Sequence, residues 1–570
     1  MALAVAAASA LLYLPSLQNG FVWDDRAQVL ANRWLTGWRH LGEIFGSGVW
    51  DFESVGLTNY YRPLMHVGYL AVYSVFGPAA WAFHLLQVLL NGACAALVVL
   101  LAAALLGDRT PADAPLPARV AGPLAAGVVF AFHPVHSEAV LWVAALSELG
   151  ATACALGAAL LYLRALRGGD DLRPYVAAAA LFLAGALFKE TAAVAAPFLL
   201  LCDLALAPRD PLRARIRRLA PFFVAGLAYL ALRHAALGEW VPVARAHGQA
   251  SAGWAALPVT FGRYLAALAW PFPLDAYWES ASSGARTAAG LAALLASAGF
   301  LAALAATWWR DRAIALGLAL CLLALLPAFF TSAISGARLA ERYLYLPSAG
   351  AAIAVAAVAG RLAAGSPRLV AAGLGLLAAV ASVAISLRIP VWRDERALWS
   401  DTVAKSPGAA EPRYNLGIAQ LDEGDLAGAA EQLDAALRLR PEPVLAAAAL
   451  NDLGRIAERA GRSDVALEYF RRAVGAFPDS AAARANLGGA LAERGRLEEA
   501  LPHLATAARL RPQEPATRLN LALVLLDLGR RTDALAELAE AARLAPGDAE
   551  IQARLLAERS RPSAAGGVGP

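Results

Sequence analysis

Two aspartates stand side by side in Phe21-Val22-Trp23-Asp24-Asp25, within the longest polar segment between apolar runs, about residues 18–61. Adjacent carboxylates at a membrane edge are unfavourable unless protonated, hydrated or paired, and partial desolvation raises a carboxyl pKa toward the range a general base needs. A solvated loop with an Asp helix cap fits the same residues, so the pattern by itself names no reaction. Lys189-Glu190 closes the apolar run Tyr175–Phe188, and Lys189 is one of only two lysines in a chain whose other basic residues are arginine. An ammonium at the outer end of a span suits a lipid phosphate as a point charge; the alternative is a residue snorkelling beside Glu190. Arg338, Glu341 and Arg342 precede Tyr343-Leu344-Tyr345-Leu346-Pro347-Ser348 at another such boundary, and Arg62 follows Tyr60-Tyr61 at the end of the first loop. His133-Pro134-Val135-His136-Ser137-Glu138 marks a further turn, with Glu148 about ten residues into the next apolar run. Pro134 between the histidines disfavours a helical metal pair, so no metal site is expected.

The elements that must position these groups are membrane helices. The chain has 570 residues, 59% hydrophobic and 16% charged, with a mean hydropathy of +0.52; an average soluble domain carries roughly 25% charged residues. A purely soluble protein is thereby excluded. The net charge of +4, with no basic block interleaved with aromatics, gives no nucleic-acid surface. Cys94, Cys154, Cys202 and Cys321 all lie in apolar runs, which offers neither a disulfide framework nor paired zinc spacing.

About eleven spans are expected: 3–14, 81–106, 119–132, 139–165, 175–188, 191–207, 219–234, 287–309, 313–330, 343–360 and 369–388. The first has no basic flank or clear cleavage site and reads as a retained span. Arginine-rich loops around Arg164–Arg173, Arg209–Arg218, Arg310–Arg312 and Arg361–Arg368 fall on one side, which the positive-inside rule makes cytoplasmic. The amino terminus is then cytoplasmic and everything after residue 389 is extracytoplasmic, in a periplasm or its equivalent. Apolar stretches 62–76 and 254–270 are interrupted by Arg62, His66, Arg263 and prolines, and read as interfacial helices on the outer face.

Beyond residue 389 the composition becomes charged and amphipathic. Prolines recur at Pro407, Pro441, Pro478, Pro512 and Pro546 in steps of 34, 37, 34 and 34, and glycines at Gly424, Gly461, Gly495 and Gly529 in steps of 37, 34 and 34. That is the tetratricopeptide period. Each unit opens on an Asn-Leu-Gly-like start (Asn415-Leu416-Gly417, Leu453-Gly454, Asn486-Leu487-Gly488, Asn520-Leu521-Ala522), and the extra residues of the second unit fit a lengthened join at Pro443–Ala447. The organisation expected is all-α: a multi-span membrane domain over 1–389, a connecting helix over 390–410, four repeats over 411–546, and a capping helix with a disordered tail over 547–570. Such arrays bind extended peptides in a concave groove, though a spacer or oligomerisation arm has the same pattern.

Phe-Val-Trp-Asp-Asp, Tyr-Arg-Pro-Leu, His-Pro-Val-His-Ser-Glu-Ala-Val, Phe-Lys-Glu and Ala340-Glu341-Arg342-Tyr343-Leu344-Tyr345-Leu346-Pro347-Ser348, in this order and followed by in-phase repeats, resemble the transmembrane and tetratricopeptide-repeat O-mannosyltransferases. These belong to the C-type superfamily of integral-membrane glycosyltransferases, and the resemblance covers nearly the whole chain, including a pre-repeat segment with Arg388 and Trp392. It implies a polyprenyl-phosphate-linked sugar as donor and Ser/Thr hydroxyls of exported proteins as acceptors. Asp24 matches the first acidic residue of the superfamily's early-loop catalytic pair and Asp25 its neighbour. Lys189, Arg338 and Arg342 fall where donor-phosphate contacts are expected, with Arg62 added to that set and His133, His136, Glu138, Glu148, Glu190 and Glu341 in support. The resemblance names no cofactor beyond the donor lipid and leaves a divalent metal open. The Ala/Arg-rich composition suggests a bacterial source and an inner membrane, with the sugar mannose or another hexose.

In the expected mechanism the Lys/Arg set stabilises the departing lipid phosphate while Asp24 takes the acceptor's proton, in one inverting step. The repeats would hold acceptor proteins close to the membrane site. A tetratricopeptide scaffold without catalysis is one competing reading, although an anchor needs one span, not many with buried charges. An O-antigen-ligase-like transferase is another, but its catalytic loop comes late among the spans, where the loop here, about 331–342, is short. A transporter is disfavoured by the lack of an inverted repeat of spans.

Overall fold

The computed structural model describes residues 1–53, 60–107, 116–168, 171–240, 257–278, 288–335 and 339–561. The chain forms two compact units, Met1–Ser406 and Pro407–Pro570.

In the first unit, seven of the described helices are long and apolar enough to cross a membrane: Ala80–Leu106, Val143–Gly168, Leu212–Leu237, Ala288–Arg310, Arg312–Phe329, Glu341–Gly365 and Pro367–Trp392. An eighth is the bent pair Arg119–Ala131 and Pro134–Leu141, which turns by 46°. Ala2–Gln18, Pro63–Phe76 and Arg173–Phe188 are apolar but shorter, so the described residues give seven or eight spans by length where about eleven are expected from hydropathy. Ala80–Leu106, Val143–Gly168, Arg312–Phe329 and Glu341–Gly365 are mostly buried and make the centre, whereas Ala288–Arg310 and Pro367–Trp392 are mostly exposed.

Small residues let the central helices close on one another. Gly317 and Gly350 face across the contact of Arg312–Ser335 with Tyr345–Gly365, and a Cβ on either would stand 2.5–2.7 Å from the other's carbonyl oxygen. Polar side chains there satisfy one another: Tyr345 donates to Asn91 Oδ1 at 2.7 Å, and Asn91 Nδ2 donates to Ser9 Oγ at 2.9 Å. The helix Glu395–Lys405 belongs to this unit. It starts on an Asp394 side-chain cap to the Ala397 N–H at 2.8 Å and carries the buried Trp399.

The second unit is four helix pairs: Ala410–Asp422 with Leu426–Arg438, Pro443–Arg459 with Ser463–Ala476, Ala481–Ala492 with Leu497–Leu510, and Pro515–Asp527 with Arg531–Leu544. Ala549–Ser560 covers the end of the last pair, and residues 562–570 lie outside the described residues. Gly424, Gly461, Gly495 and Gly529 all have φ between +70° and +85°, the left-handed turn between paired helices that a Cβ disfavours. The extra residues of the second unit are taken into its first helix, 17 residues long, rather than into a join. The repeating prolines also serve as acceptors: Arg518 Nε donates to the Pro512 carbonyl at 2.9 Å, and Arg413 and Arg484 do the same to Pro407 and Pro478.

Candidate active site

Trp23 has a φ of +54°, a left-handed conformation rare for a bulky residue and most common where structure over-determines it at functional sites. The surroundings hold it there. Its indole stacks on Trp142 with ring centres 4.8 Å apart and meets the edge of Trp399 at 5.1 Å. The loop is tied at its start by Asn19 Nδ2 to the Ile389 carbonyl at 3.1 Å and by the Gly20 N–H to the Arg393 carbonyl at 2.9 Å.

The turn separates the two aspartates. Asp24 is half-buried, whereas Asp25 is fully buried, with Oδ1 accepting the Ala144 N–H at 2.6 Å and Oδ2 the Val22 N–H at 3.2 Å. Burial pushes the Asp25 carboxyl well above the ordinary aspartate range, with the Asp24 charge adding to the effect and the backbone N–H groups opposing it. Asp25, expected beside Asp24 in the acidic pair, is thus enclosed and fastens the acidic loop to Ala144.

The cluster that holds Lys189 and Arg342 is built at three places where a helix is broken. The segment after His133-Pro134 runs as Ser137–Leu141, opens at Trp142 (ψ 116°), and restarts before Leu146–Gly168. Arg173–Phe188 ends on extended Lys189 (φ −161°, ψ 137°), and extended Ala340 precedes the turn Glu341–Leu344. Arg342 pairs with buried Glu138, whose Oε2 also accepts the Arg342 N–H at 2.9 Å. The Arg342 guanidinium lies 4.9 Å from the ring centres of both Trp142 and Tyr343, and Lys189 Nζ sits 5.0 Å from that of Tyr343. Lys189 pairs with Glu148 across the break, not with its neighbour Glu190. Glu190 instead accepts from Arg62 Nε at 3.1 Å, and Arg62 lies 4.5 Å over the Tyr60 ring.

A continuous stack thus runs from Trp23, next to Asp24, through Trp142 and Arg342 to Tyr343 and Lys189. Arg62, Lys189 and Arg342 each have a carboxylate partner, so the cluster holds three cations against three acids, fixed in place by their partners rather than by solvent.

Several expected residues turn elsewhere. Glu341 points away from Arg342, its Oε1 accepting the Asp275 N–H at 2.6 Å, and Asp275 Oδ2 in turn accepts from Ser406 Oγ at 2.7 Å. His136 Nε2 bonds Ser348 Oγ at 2.7 Å between Phe130 and Tyr345, and His133 Nε2 bonds the Leu268 carbonyl at 2.9 Å. Both imidazoles are used in packing. Arg338 lies outside the described residues. Among the described residues no three His, Cys, Asp or Glu side chains converge as a metal site would require. The parts taken by Trp142, Tyr343 and the left-handed Trp23 were not legible: Trp142 sits in an otherwise apolar run, Tyr343 was read only as part of the motif after Arg342, and the backbone angle leaves no compositional trace.

Tetratricopeptide-repeat family profiles match residues 395–442, 414–481, 451–515 and 491–558. The chain is 38% identical over 202 residues to the protein O-mannosyl-transferase Tmtc2 of Drosophila melanogaster, covering 34% of this chain and 20% of that protein. It is 36% identical to Drosophila Tmtc1, covering 34% of this chain and 21% of the relative. A longer match, 26% identical, joins 74% of this chain to 64% of mouse TMTC4. The chain therefore spans about a fifth of the length of the two Drosophila relatives. Among solved structures, YrrB, a TPR protein with an unusual peptide-binding site, is 23% identical over 28% of this chain and 81% of its own, with a TM-score of 0.24.

The protein is thus a repeat-bearing, membrane-associated chain related to the eukaryotic TMTC O-mannosyltransferases. These relatives are animal proteins, from fly and mouse, and so the assignment to a bacterial inner membrane with periplasmic repeats does not hold.

Proposed function

We propose that this protein transfers a sugar, mannose or another hexose, from a polyprenyl-phosphate-linked donor to Ser/Thr hydroxyls of protein acceptors. The observation that supports this most is the stack Trp23–Trp142–Arg342, which links the acidic loop to the paired cations. Asp24 removes the acceptor's proton as its oxygen attacks the anomeric carbon, the bond from that carbon to the phosphate oxygen breaks, and the lipid phosphate leaves. Arg342, Lys189 and Arg62 stabilise the charge that grows on it. Attack opposite the leaving group inverts the anomeric centre. Their carboxylate partners hold the cations in position before donor binds, so little reorganisation accompanies the reaction. The repeat array holds the acceptor segment and raises its concentration near the loop.

The test is transfer by the full chain in lipid vesicles, with a polyprenyl-phosphate mannose donor and a Ser/Thr-containing peptide. A glycopeptide of inverted configuration, formed from the lipid-linked donor and not from a nucleotide sugar, is expected. No transfer from any polyprenyl-phosphate hexose would leave a repeat-bearing membrane scaffold as the better reading.

A further inference from the structure

Two interrupted helices meet at Arg342. One is Pro134–His136 running into Ser137–Leu141 beyond the 46° bend, and the other is the turn Glu341–Leu344 that opens the helix Tyr345–Gly365. A broken helix end leaves N–H and C=O groups without intrahelical partners, so its direction depends on what ties it to its neighbours. Two side chains of the first segment tie it to the second. Glu138 takes both the Arg342 guanidinium and the Arg342 N–H, and His136 Nε2 lies 2.7 Å from Ser348 Oγ.

The second tie has a defined direction. Ser348 is buried, and its one hydroxyl hydrogen goes to the Tyr345 carbonyl at 2.7 Å. Its oxygen therefore accepts from the imidazole, which places the His136 proton on Nε2. The ring is fully buried between Phe130 at 4.5 Å and Tyr345 at 4.6 Å, and its Nδ1 has no partner among the described residues. A phenyl ring would fill the same space. What the imidazole adds is one N–H bond to the other segment, in surroundings where a donor left unpaired is costly. Tyr345 is itself bonded to Asn91, and Asn91 to Ser9, so the helix carrying Ser348 is anchored in the centre of the unit.

The Arg342 guanidinium also rests on Trp142 and Tyr343. Ring faces attract a cation without fixing its place along the face, whereas hydrogen bonds fix distance and angle. We infer that the His136–Ser348 bond is a strut that sets where Arg342 stands, which makes His136 and Ser348 positioning residues for the reaction, acting through the Glu138–Arg342 pair. The inference rests on the proposed transferase reading and gives a part in it to an imidazole otherwise engaged in packing.

Three variants of the full chain separate the bond from the packing. His136→Phe keeps a ring and loses the bond, His136→Gln loses the ring and keeps an N–H at the reach of Nε2, and Ser348→Ala removes only the acceptor. Two quantities are read: transfer in vesicles from a polyprenyl-phosphate mannose donor to a Ser/Thr-containing peptide, and labelling of Arg342 by phenylglyoxal in detergent without donor, mapped by mass spectrometry. His136→Phe and Ser348→Ala are expected to lower kcat by about tenfold to a hundredfold, the cost of a displaced group at a reacting centre, with donor KM little changed and Arg342 labelled several-fold faster. His136→Gln should restore most of kcat and the slow labelling. The double change His136→Phe with Ser348→Ala should be no worse than either alone, because both remove the same bond. Wild-type kcat and labelling in His136→Phe, or a His136→Phe protein that outperforms His136→Gln, overturns the strut and leaves the imidazole as packing. If His136→Phe fails to fold, Ser348→Ala decides on the same terms. Should wild type transfer no sugar, the transferase reading fails by itself, and the labelling rates still decide whether this bond places Arg342.

Discussion

Lys189 and Glu148 form a pair almost closed to solvent, with side chains 6% and 9% exposed. Removing one member leaves the other as an uncompensated buried charge, which costs about 3–5 kcal/mol. Lys189→Ala should therefore destabilise the protein as well as weaken use of the donor, and stability alone would not reveal the cation's role. The double change Lys189→Ala with Glu148→Ala should recover most of the melting temperature and yet leave donor use tenfold to a hundredfold down, since a charge-assisted contact is worth about 1.5–3 kcal/mol. Recovery of transfer together with stability would assign Lys189 to packing. Asp25 gives a second residue-level prediction. Because burial raises its pKa, the folded state holds that proton more tightly than the unfolded chain does. The resulting stability is whole below the unfolded value of about 3.9 and is lost as pH rises through the raised one. Asp25→Asn stays neutral at every pH but has one acceptor oxygen for two N–H donors, so it should cost about 1–3 kcal/mol at acid pH and flatten the decline at higher pH. Melting temperatures of both proteins across a pH series check the sign; parallel curves would mean that Asp25 is not the titrating group.

The elements carry a common device: site residues sit where a helix is interrupted, at Trp142, Lys189 and Ala340. The sequence showed two of these places, Lys189 and Ala340, as short polar motifs beside apolar runs, and so the charged residues there could be picked out from composition. What it did not show is the pairing. Lys189 joins Glu148 from a distant segment and Glu341 turns to Asp275, choices made by how separate helices pack and not by local spacing. The described residues give seven or eight helices of crossing length against about eleven expected, since hydropathy marks apolar stretches such as 3–14 and 175–188 without setting the length of the helix that forms there, Ala2–Gln18 and Arg173–Phe188. The repeats were the most legible part, because each landmark has a local cause in a turn or a close contact. Gly454 illustrates it: a Cβ there would stand 2.4 Å from the ring of Phe470, which is fully buried and has no room to shift. Gly454→Ala should destabilise the repeat unit by about 1–3 kcal/mol, the usual cost of overpacking. Hydrogen exchange on the full chain should show faster opening over 443–476 with the membrane unit unchanged; unaltered exchange there would mean that the helix pair separates at little cost.

At the scale of the whole molecule, the site residues and the helix Glu395–Lys405 lie in the first unit and the repeats form a unit of their own. A chain ending at Ser406 should keep transfer to a short peptide within a few-fold of wild type and lose most transfer to a full-length protein acceptor, since only the latter uses the array. Equal loss on both substrates would make the array a structural part of the enzyme. One measurement decides the role of Asp24: the rate of sugar transfer from the polyprenyl-phosphate donor to a short peptide by Asp24→Asn in vesicles. That change keeps side-chain size and removes the ability to accept a proton, so transfer should fall by about a hundredfold to ten-thousandfold, the range for loss of a general base, with membrane insertion and melting temperature near wild type. An inserted, stable Asp24→Asn protein that transfers sugar at more than about half the wild-type rate would contradict the assignment of this loop as the catalytic site.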